Sequence, residues 1–319
     1  MKKQDSFNHT SGPINRRSFL KLSGILGIGL ASATAIPTWV EAVRFNRKFL
    51  EIDRLSRSIS RFDETTAVAQ LNREGFLKDV PPEVAEVVFR ALEYYRISNG
   101  AFDISVKPVV DLFKEKFSEG QDMPPTEGEL RKALTLVNAS NIEFEGSYLR
   151  FKEPGMGITL DGIAKGYIVD RASQVLAKHQ IKNHLINAGG DIRTMGHGRD
   201  KKPWTIAVQD PQKKKHYPDI IHMTDGAIAT SGNYEIYFDK EKMFHHIVNP
   251  STGLSPDAST SVSVLAETAM DADALSTSVF VMDPERGTRF INSLTKCESL
   301  VVAKGNRKIK SAGWKDGAV

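Results

Sequence analysis

Apolar residues in the first part of the chain recur at the three- and four-residue spacing of amphipathic helices. One helix is predicted to begin at a capping box formed by Thr38 and Glu41. A second is predicted to start at the paired prolines 81 and 82, and a third at Thr126, which has a glutamate three residues later. The pattern predicts a mostly helical region over about residues 38–140.

From Ile142 the apolar residues alternate with polar ones, a period typical of strands, and a hairpin is predicted around Gly146 and Ser147. Strand-like runs follow at residues 157–160, 184–187, 204–209, 226–230, 244–248, 260–265 and 298–303. Helices are predicted between them at residues 163–179, 269–282 and 284–294. This order predicts an α+β fold, in which the helical part is followed by a mixed or antiparallel sheet with packed helices over about residues 141–319.

The N-terminus resembles a twin-arginine export signal. An arginine pair at positions 16 and 17 precedes an apolar, glycine-rich run over residues 22–30, and small residues suited to cleavage come next. We expect residues 1–35 to be removed and residues 36–319 to form a single exported domain, periplasmic or otherwise extracytoplasmic. The apolar run is too short and too rich in glycine for a convincing membrane span, so an uncleaved anchor is the less favoured alternative.

Charge and cysteine content exclude some kinds of function. The whole chain has a formal net charge of +4, and residues 1–35 contain five Lys or Arg and one Asp, which also gives +4. The expected mature protein is therefore close to neutral, which argues against non-specific binding to nucleic acid. Cys297 is the single cysteine, so the chain has neither an internal disulfide nor a multi-cysteine metal site.

Three polar clusters at predicted turns are candidates for ligand binding. Asp161-Gly162 is followed by Lys165 at the start of a helix, where glycine allows close approach to the backbone and the helix N-terminus favours an anion. The turn Asn187–Asp191 contains two adjacent glycines, and the turn Thr230–Gly232 offers hydroxyl and amide donors. Each of these patterns also occurs in ordinary turns that bind nothing.

A fourth cluster joins His246 to the predicted helix at 269–282. Asp273 and Thr277 are four residues apart and share one helix face, whereas Asp271 lies on a different side. Oxygen ligands of this type suit Mg²⁺, although Asp near a helix start is also favourable without a metal. Beside a metal and a phosphate, His246 is a candidate general base.

Six stretches occur in a fixed order along the chain: GAFDISVKPVVDLF, LDGIAKGYIVDRASQVL, NAGGDIRTMG, AIATSGNYE, HHIVNPSTG and AMDADALSTSVFVM. Together they resemble the ApbE family of FAD:protein FMN transferases, and the resemblance covers roughly residues 50–305. Six ordered motifs are far more specific than any one of them.

The resemblance implies an extracytoplasmic, Mg²⁺-dependent enzyme that splits FAD, attaches FMN through a phosphoester to a threonine of a target flavoprotein, and releases AMP. FAD and this acceptor flavoprotein are therefore the expected partners. By position, the residues expected at the FAD site are Ala101, Phe102, Asp103, Thr159, Asp161, Lys165, Asn187, Gly189, Gly190, Asp191, Thr230, Ser231 and Gly232. The expected Mg²⁺ ligands are the Gly162 carbonyl, Asp273 and Thr277, and His246 matches the family histidine near the acceptor.

The chain differs from the family pattern in two places. No strand is recognised before the predicted helix at Thr38, where relatives have a Met-Gly-Thr strand that contacts the flavin. Where many relatives have Asp-Leu-Gly-Gly, this chain has Thr159-Leu160-Asp161-Gly162, so the acid stands two positions later. Either Asp161 or Thr159 is expected to fill the role of that acid.

Two alternatives stay open at this point. Water could attack in place of threonine, which would make the protein an FAD pyrophosphatase that yields FMN and AMP. The chain could also be an exported flavin-binding protein without turnover.

Overall fold

Helices and antiparallel strands make up the part of the chain that the computed structural model describes, namely residues 28–32, 54–55, 57–59, 63–118, 123–209, 211, 217–233 and 244–315. The helices are α1 (Ala67–Glu74), α2 (Pro82–Ile97), α3 (Lys107–Ser118), α4 (Glu127–Leu134), α5 (Ala164–Lys178), α6 (Ala269–Val281) and α7 (Pro284–Asn292). The strands are β1 (Ile28–Ser32), β2 (Phe76–Leu77), β3 (Ile142–Glu145), β4 (Tyr148–Phe151), β5 (His184–Ala188), β6 (Asp191–Met195), β7 (Trp204–Ala207), β8 (Ile220–Met223), β9 (Gly226–Gly232), β10 (Ser259–Ala266), β11 (Glu298–Ala303) and β12 (Lys308–Lys310). Short 3-10 helices lie at Ile104–Val106, Ala139–Asn141 and Arg199–Lys201.

A seven-stranded antiparallel sheet lies at the centre of the fold, in the order β1-β5-β6-β9-β10-β11-β12. A three-stranded sheet, β2-β4-β3, and the hairpin β7-β8 are separate from it. Helices α5 and α6 pack against each other and on the large sheet, α5 mainly on β5 and β6, and α6 mainly on β9 and β10. The predicted α+β class is confirmed.

Alternation along β9 divides the core between the two faces of the sheet. Ala227 and Ala229 pack in a cluster with α5 and α6, while Ile228 between them packs in a second cluster with Ile206 and Ile221 of the β7-β8 hairpin. The centre of the sheet is therefore buried on both sides, which gives α6 a rigid support.

One apolar cluster joins the helical part of the chain to the sheet. It includes Leu71 of α1 and Val88 of α2 together with Val264 of β10 and Leu275 and Phe280 of α6. All five are less than 2% exposed. This shared core fixes α6 from the side opposite its sheet contacts.

Most predicted helices are present. α4 has both halves of the capping box, because Thr126 Oγ1 accepts from the Glu129 amide at 3.3 Å and Glu129 Oε2 accepts from the Thr126 amide at 2.9 Å. α2 begins at Pro82, and α5, α6 and α7 lie within the predicted ranges. The helix predicted from Thr38 to about residue 61 lies mostly outside the described residues. Within that range, the described residues 54–55 and 57–58 are helical.

The predicted strand at 157–160 is wrong. Among the described residues this segment joins no sheet. The Asn72 side chain instead pairs with both backbone groups of Ile158, donating to its carbonyl at 2.9 Å and accepting from its amide at 2.7 Å. The Thr159 amide donates to the Ile104 carbonyl at 2.8 Å. These contacts take the place of a ladder and hold the segment against the 3-10 helix at 104–106.

The predicted strand at 244–248 is also wrong, since only His245 has bridge pairing. The Ser255 hydroxyl accepts from the His245 amide at 2.9 Å and donates to the His245 carbonyl at 2.7 Å. A side chain therefore satisfies backbone groups that a neighbouring strand would otherwise pair.

The expectation that the first strand is missing is wrong as well. β1 pairs antiparallel with β5 from Ile28 opposite Ala188 to Ser32 opposite His184. β1 falls largely within the apolar run predicted to belong to the export signal. Cleavage at the predicted position would remove this edge strand. In the described part of the chain, no helix is long and apolar enough to span a bilayer.

Candidate active site

An open cavity of about 110 Å³ lies beside the ends of α5 and β9 and one face of α6. Most of the site residues predicted from the sequence line it. They are Ala101, Phe102, Asp103, Thr159, Asp161, Gly162, Lys165, Thr230, Ser231, Gly232, His246, Asp273 and Thr277. The fold thus brings five separate segments of the chain to one place.

Helix α6 supplies a carboxyl group and a hydroxyl to the cavity. The helix starts at Thr268, whose Oγ1 accepts from the Asp271 amide at 3.1 Å. Asp273 and Thr277, one turn apart, both line the cavity, as their spacing predicts. Asp271 points elsewhere and accepts from Arg90 and Tyr94 of α2 at 2.9 and 2.7 Å.

Gly162 lies directly against the Thr277 end of the cavity. A Cβ atom at residue 162 would be 3.2 Å from Thr277 Oγ1 and 3.3 Å from Phe102 Cε2. Thr277 Oγ1 is also 3.2 Å from the hydroxyl of Ser231 on β9. The backbone at Gly162 and two hydroxyl groups therefore meet at one end of the cavity, where a side chain at residue 162 would crowd them.

Two buried carboxyl groups lie next to this end. Asp273 is 6% exposed and accepts from the Gly166 amide at 3.1 Å, while Asp191 is 1% exposed and lies 3.1 Å from Lys165 Nζ. Burial, followed by the nearby charge of Asp273, raises the pKa of Asp191 well above its usual range. Burial also raises the pKa of Asp273, with Lys165 and the Gly166 amide acting in the opposite direction.

The turn Asn187–Asp191 does not line the cavity wall. Gly189 and Gly190 have φ values of 61° and 103°, and Asn187 Oδ1 accepts from the Gly190 amide at 3.1 Å. The turn instead contacts Lys165, whose Nζ lies 3.3 Å from the Gly189 carbonyl. Of these four predicted FAD residues, Gly189 and Asp191 contact Lys165, and Asp191 also interacts with Asp273.

Asp103 and Thr159 line the cavity but also have partners within the protein. One Asp103 oxygen accepts from the amide and hydroxyl of Ser105 at 2.7 and 2.6 Å, and the other accepts from the Ala139 amide at 3.2 Å. Thr159 Oγ1 accepts from the Asp161 amide at 3.3 Å, and Asp161 itself is exposed at the cavity. The two candidates for the role of the displaced acid thus differ in exposure: the Thr159 side chain is buried, whereas the Asp161 carboxylate reaches solvent in the cavity.

His246 reaches the cavity from an irregular segment that His245 anchors. His245 is buried, its Nε2 lies 2.8 Å from the Pro256 carbonyl, and its ring packs edge-on against Phe280 with 5.5 Å between centroids. A carbonyl only accepts, so Nε2 carries the proton. Burial lowers the pKa of His245, which favours its neutral form.

The sequence reasoning missed an apolar wall of the same cavity. Its members are Ile104, Val106, Val110, Ile247, Val248, Pro250 and Val281. In the sequence these residues look like ordinary core positions, because hydrophobic spacing does not distinguish a cavity wall from a filled interior. A cavity with one apolar wall and one polar end suits a ligand that carries both a ring system and a charged group.

The polar end has the chemistry of a site for a hard divalent cation. Asp191 and Asp273 form an interacting pair of buried carboxyl groups, and Lys165 Nζ lies 3.1 Å from Asp191. Asp273, Thr277 and the Gly162 backbone offer oxygen donors only, the type that Mg²⁺ prefers. Across the described ranges no three His, Cys, Asp or Glu side chains come together, so a cation here would depend on hydroxyl and carbonyl oxygens as well.

Comparison with known proteins shows which family the chain resembles in sequence. The model of the ApbE family matches residues 30–301, beginning within β1. An FAD:protein FMN transferase of Vibrio cholerae is 31% identical over 284 residues, covering 88% of this chain and 82% of the relative. One from Escherichia coli K12 is 26% identical over 254 residues, covering 76% and 71%.

Solved structures of ApbE proteins are also similar to this chain. The ApbE protein of Thermotoga maritima has a TM-score of 0.78 at 30% identity, covering 89% of this chain and 92% of that one. The flavin transferase ApbE of Vibrio cholerae has a TM-score of 0.75 at 27% identity, covering 90% and 93%. The chain belongs to the ApbE family.

Proposed function

We propose that this chain transfers FMN from FAD to a threonine of an acceptor flavoprotein, forming a phosphoester and releasing AMP. The observation that carries the proposal is that Gly162, Asp273, Thr277 and His246 converge on one cavity in a chain of the ApbE family. The relatives named FAD:protein FMN transferase support the same reaction.

The polar end of the cavity is the proposed place for the pyrophosphate of FAD. Asp273, Thr277 and the Gly162 carbonyl would hold Mg²⁺, which when bound offsets the negative charge of the pyrophosphate and the AMP leaving group. Lys165, held by Asp191 at 3.1 Å, adds a positive charge at the same end. The apolar wall would take the ring system.

His246 is the proposed general base. It would accept the proton of the threonine hydroxyl while that oxygen attacks the phosphorus of the FMN half. The bond from this phosphorus to the bridging oxygen breaks, and AMP leaves with the electron pair. The neutral His245 beside it adds no positive charge next to His246.

Export is the second part of the proposal. The arginine pair and apolar run before residue 31 support a twin-arginine signal, and loss of residues 1–35 would leave an extracytoplasmic domain over residues 36–319. One apolar cluster contains residues of α1, α2, α6 and β10, which supports one domain over that range.

Release of AMP from FAD by paired variants of α6 tests the site. Asp273→Asn removes a proposed Mg²⁺ ligand and should reduce AMP release by at least about 100-fold, because even residues that only orient a metal ligand typically contribute ~10–100-fold to metal affinity or activity. Asp271→Asn changes the same residue type two positions away, where the side chain contacts Arg90 and Tyr94.

The paired design separates a site effect from a folding effect. Asp271→Asn should lower the melting temperature but keep AMP release per folded molecule. Near-normal AMP release by Asp273→Asn would show that Asp273 is not a ligand of the proposed Mg²⁺. Free FMN in place of flavin on an acceptor would favour the pyrophosphatase alternative, and FAD retained intact with Mg²⁺ present would favour a binding protein.

A further inference from the structure

Two helices contribute to the polar end of the cavity, and their contact fixes its dimensions. Gly162 lies in the turn that leads into α5, whereas Asp273 and Thr277 belong to α6. The spacing between the Gly162 backbone and the two side chains therefore depends on how α5 sits against the start of α6. This contact contains a buried carboxylate that the proposed reaction does not use.

That carboxylate is Asp170 of α5. Its Oδ1 accepts from the Ala269 amide and its Oδ2 from the Met270 amide, both at 2.9 Å. These are the first two residues of α6, whose amides have no partner inside their own helix. One carboxylate thus satisfies two free amides of a neighbouring helix and carries the charge that a helix N-terminus favours.

Other contacts make this junction rigid. Gly166, one turn before Asp170 on the same face of α5, donates its amide to Asp273 at 3.1 Å. Arg193 of β6 lies 3.8 Å from Asp170 Oδ1 and also donates to the carbonyl of Glu267, just before α6. The start of α6 is therefore held by groups from both α5 and β6.

We propose that Asp170 is a positioning residue that holds the start of α6 against α5 and thereby sets the spacing of the Gly162, Asp273 and Thr277 oxygens for a divalent cation. This inference rests on the metal site of the proposed function. Asp170 does not line the cavity and touches neither substrate nor metal in this account. Burial raises the pKa of Asp170 to about 6, while the hydrogen bonds from the Ala269 and Met270 amides act in the opposite direction. Asp170 is therefore largely ionised at neutral pH.

Mn²⁺ binding to the full chain, measured by electron paramagnetic resonance of the free ion, tests the proposal without turnover. Asp170→Ala removes both amide contacts and should weaken Mn²⁺ binding by about tenfold, at the low end of the ~10–100-fold typical of residues that orient metal ligands. Asp170→Asn keeps one acceptor oxygen and should weaken binding less. It also serves if the alanine variant does not fold.

Asp283→Ala is the matched control. Asp283 accepts from the amides of Glu285 and Arg286 at 3.1 Å each at the start of α7, a helix that contributes nothing to the cavity wall. Its loss should lower the melting temperature and leave Mn²⁺ affinity within about twofold. The same loss of affinity in Asp283→Ala and Asp170→Ala would show general destabilisation and overturn the positioning role.

Two further outcomes separate the inference from the function on which it rests. Unchanged Mn²⁺ affinity in both Asp170 variants, with binding by the unaltered chain, would overturn only the positioning role of Asp170. No Mn²⁺ binding by the unaltered chain would contradict the metal site itself, and with it both proposals.

Discussion

Because α5 and α6 lie very close together at Gly166, adding a single methyl group at this residue is expected to destabilise the fold. A Cβ atom at residue 166 would lie 2.2 Å from the Ala269 carbonyl oxygen and 2.7 Å from Met270 Cα. Both are backbone atoms of α6, so neither can move aside by rotating a side chain. Gly166→Ala should therefore force the two helices apart and break the 3.1 Å hydrogen bond from the Gly166 amide to Asp273.

The expected size follows from two opposing terms. Alanine is better than glycine inside a helix by about 1 kcal/mol. Overpacking in a filled interior typically costs ~1–3 kcal/mol, and the cost is at the upper end or beyond when the clash is with backbone. We expect a net loss of at least about 2 kcal/mol, which corresponds to a melting temperature lower by about 4–8 °C for a large domain.

Gly128→Ala is the matched control, because it makes the same change in α4, where nothing lies within 4 Å of the added Cβ. Differential scanning fluorimetry of the two variants should show a lower melting temperature for Gly166→Ala and an unchanged or slightly higher one for Gly128→Ala. AMP release per folded molecule should fall only in the first. Equal or higher melting temperature in both variants would refute the close packing of α5 on α6.

Two further predictions concern pH and the N-terminal strand. His184 is buried, with its Nε2 2.7 Å from the Ser173 hydroxyl, and burial lowers its pKa. As pH falls, His184 therefore takes up a proton at a higher pH in the unfolded chain than in the folded one. Stability should fall as pH drops below about 6.5, and the melting temperature should drop more between pH 7 and pH 5 in the unaltered chain than in His184→Asn; equal slopes would contradict this role. A chain that begins at residue 36 lacks β1 and leaves the edge of β5 unpaired. Since each ladder hydrogen bond contributes ~0.5–1.5 kcal/mol, its melting temperature should be several degrees below that of the full chain, and an equal value would show that β1 adds nothing to the sheet.

Local sequence patterns predicted helices that have a capping residue at their start or a clear spacing of residues on one face. α4 has its capping box at Thr126, and the four-residue spacing of Asp273 and Thr277 gave the cavity face of α6. α1 was missed although its signals are present, namely Thr66 at its start and Gly75 in the left-handed region at its end. It is eight residues long and buries only Val68 and Leu71, so its periodic pattern is short.

The two wrongly predicted strands came from contacts in which a side chain replaces a backbone partner. Asn72 pairs with Ile158, 86 residues away, and Ser255 satisfies His245 across a turn. An apolar stretch such as 157–160 looks the same whether its partner is a strand or an asparagine. The pairing of Lys165 with Asp191, which moves the glycine turn behind the cavity wall, is likewise set by the tertiary fold.

The fold brings together residues from motifs that are far apart in the sequence. The segments around Phe102, Gly162, Ser231, His246 and Asp273 each resemble ordinary turns or helix starts when taken alone, yet they line one cavity. The apolar wall could not be predicted, because burial at a cavity and burial in a filled core leave the same hydrophobic residues in the sequence.

Covalent flavin on an acceptor protein tests the central claim most directly. The full chain is incubated with FAD, Mg²⁺ and an exported flavoprotein fragment that carries a candidate threonine, and the acceptor is analysed by mass spectrometry alongside the AMP released. We expect one FMN residue on the threonine for each AMP, and loss of both in His246→Asn with FAD binding retained. AMP and free FMN formed at the same rate with and without acceptor, and no flavin on the threonine, would contradict the account.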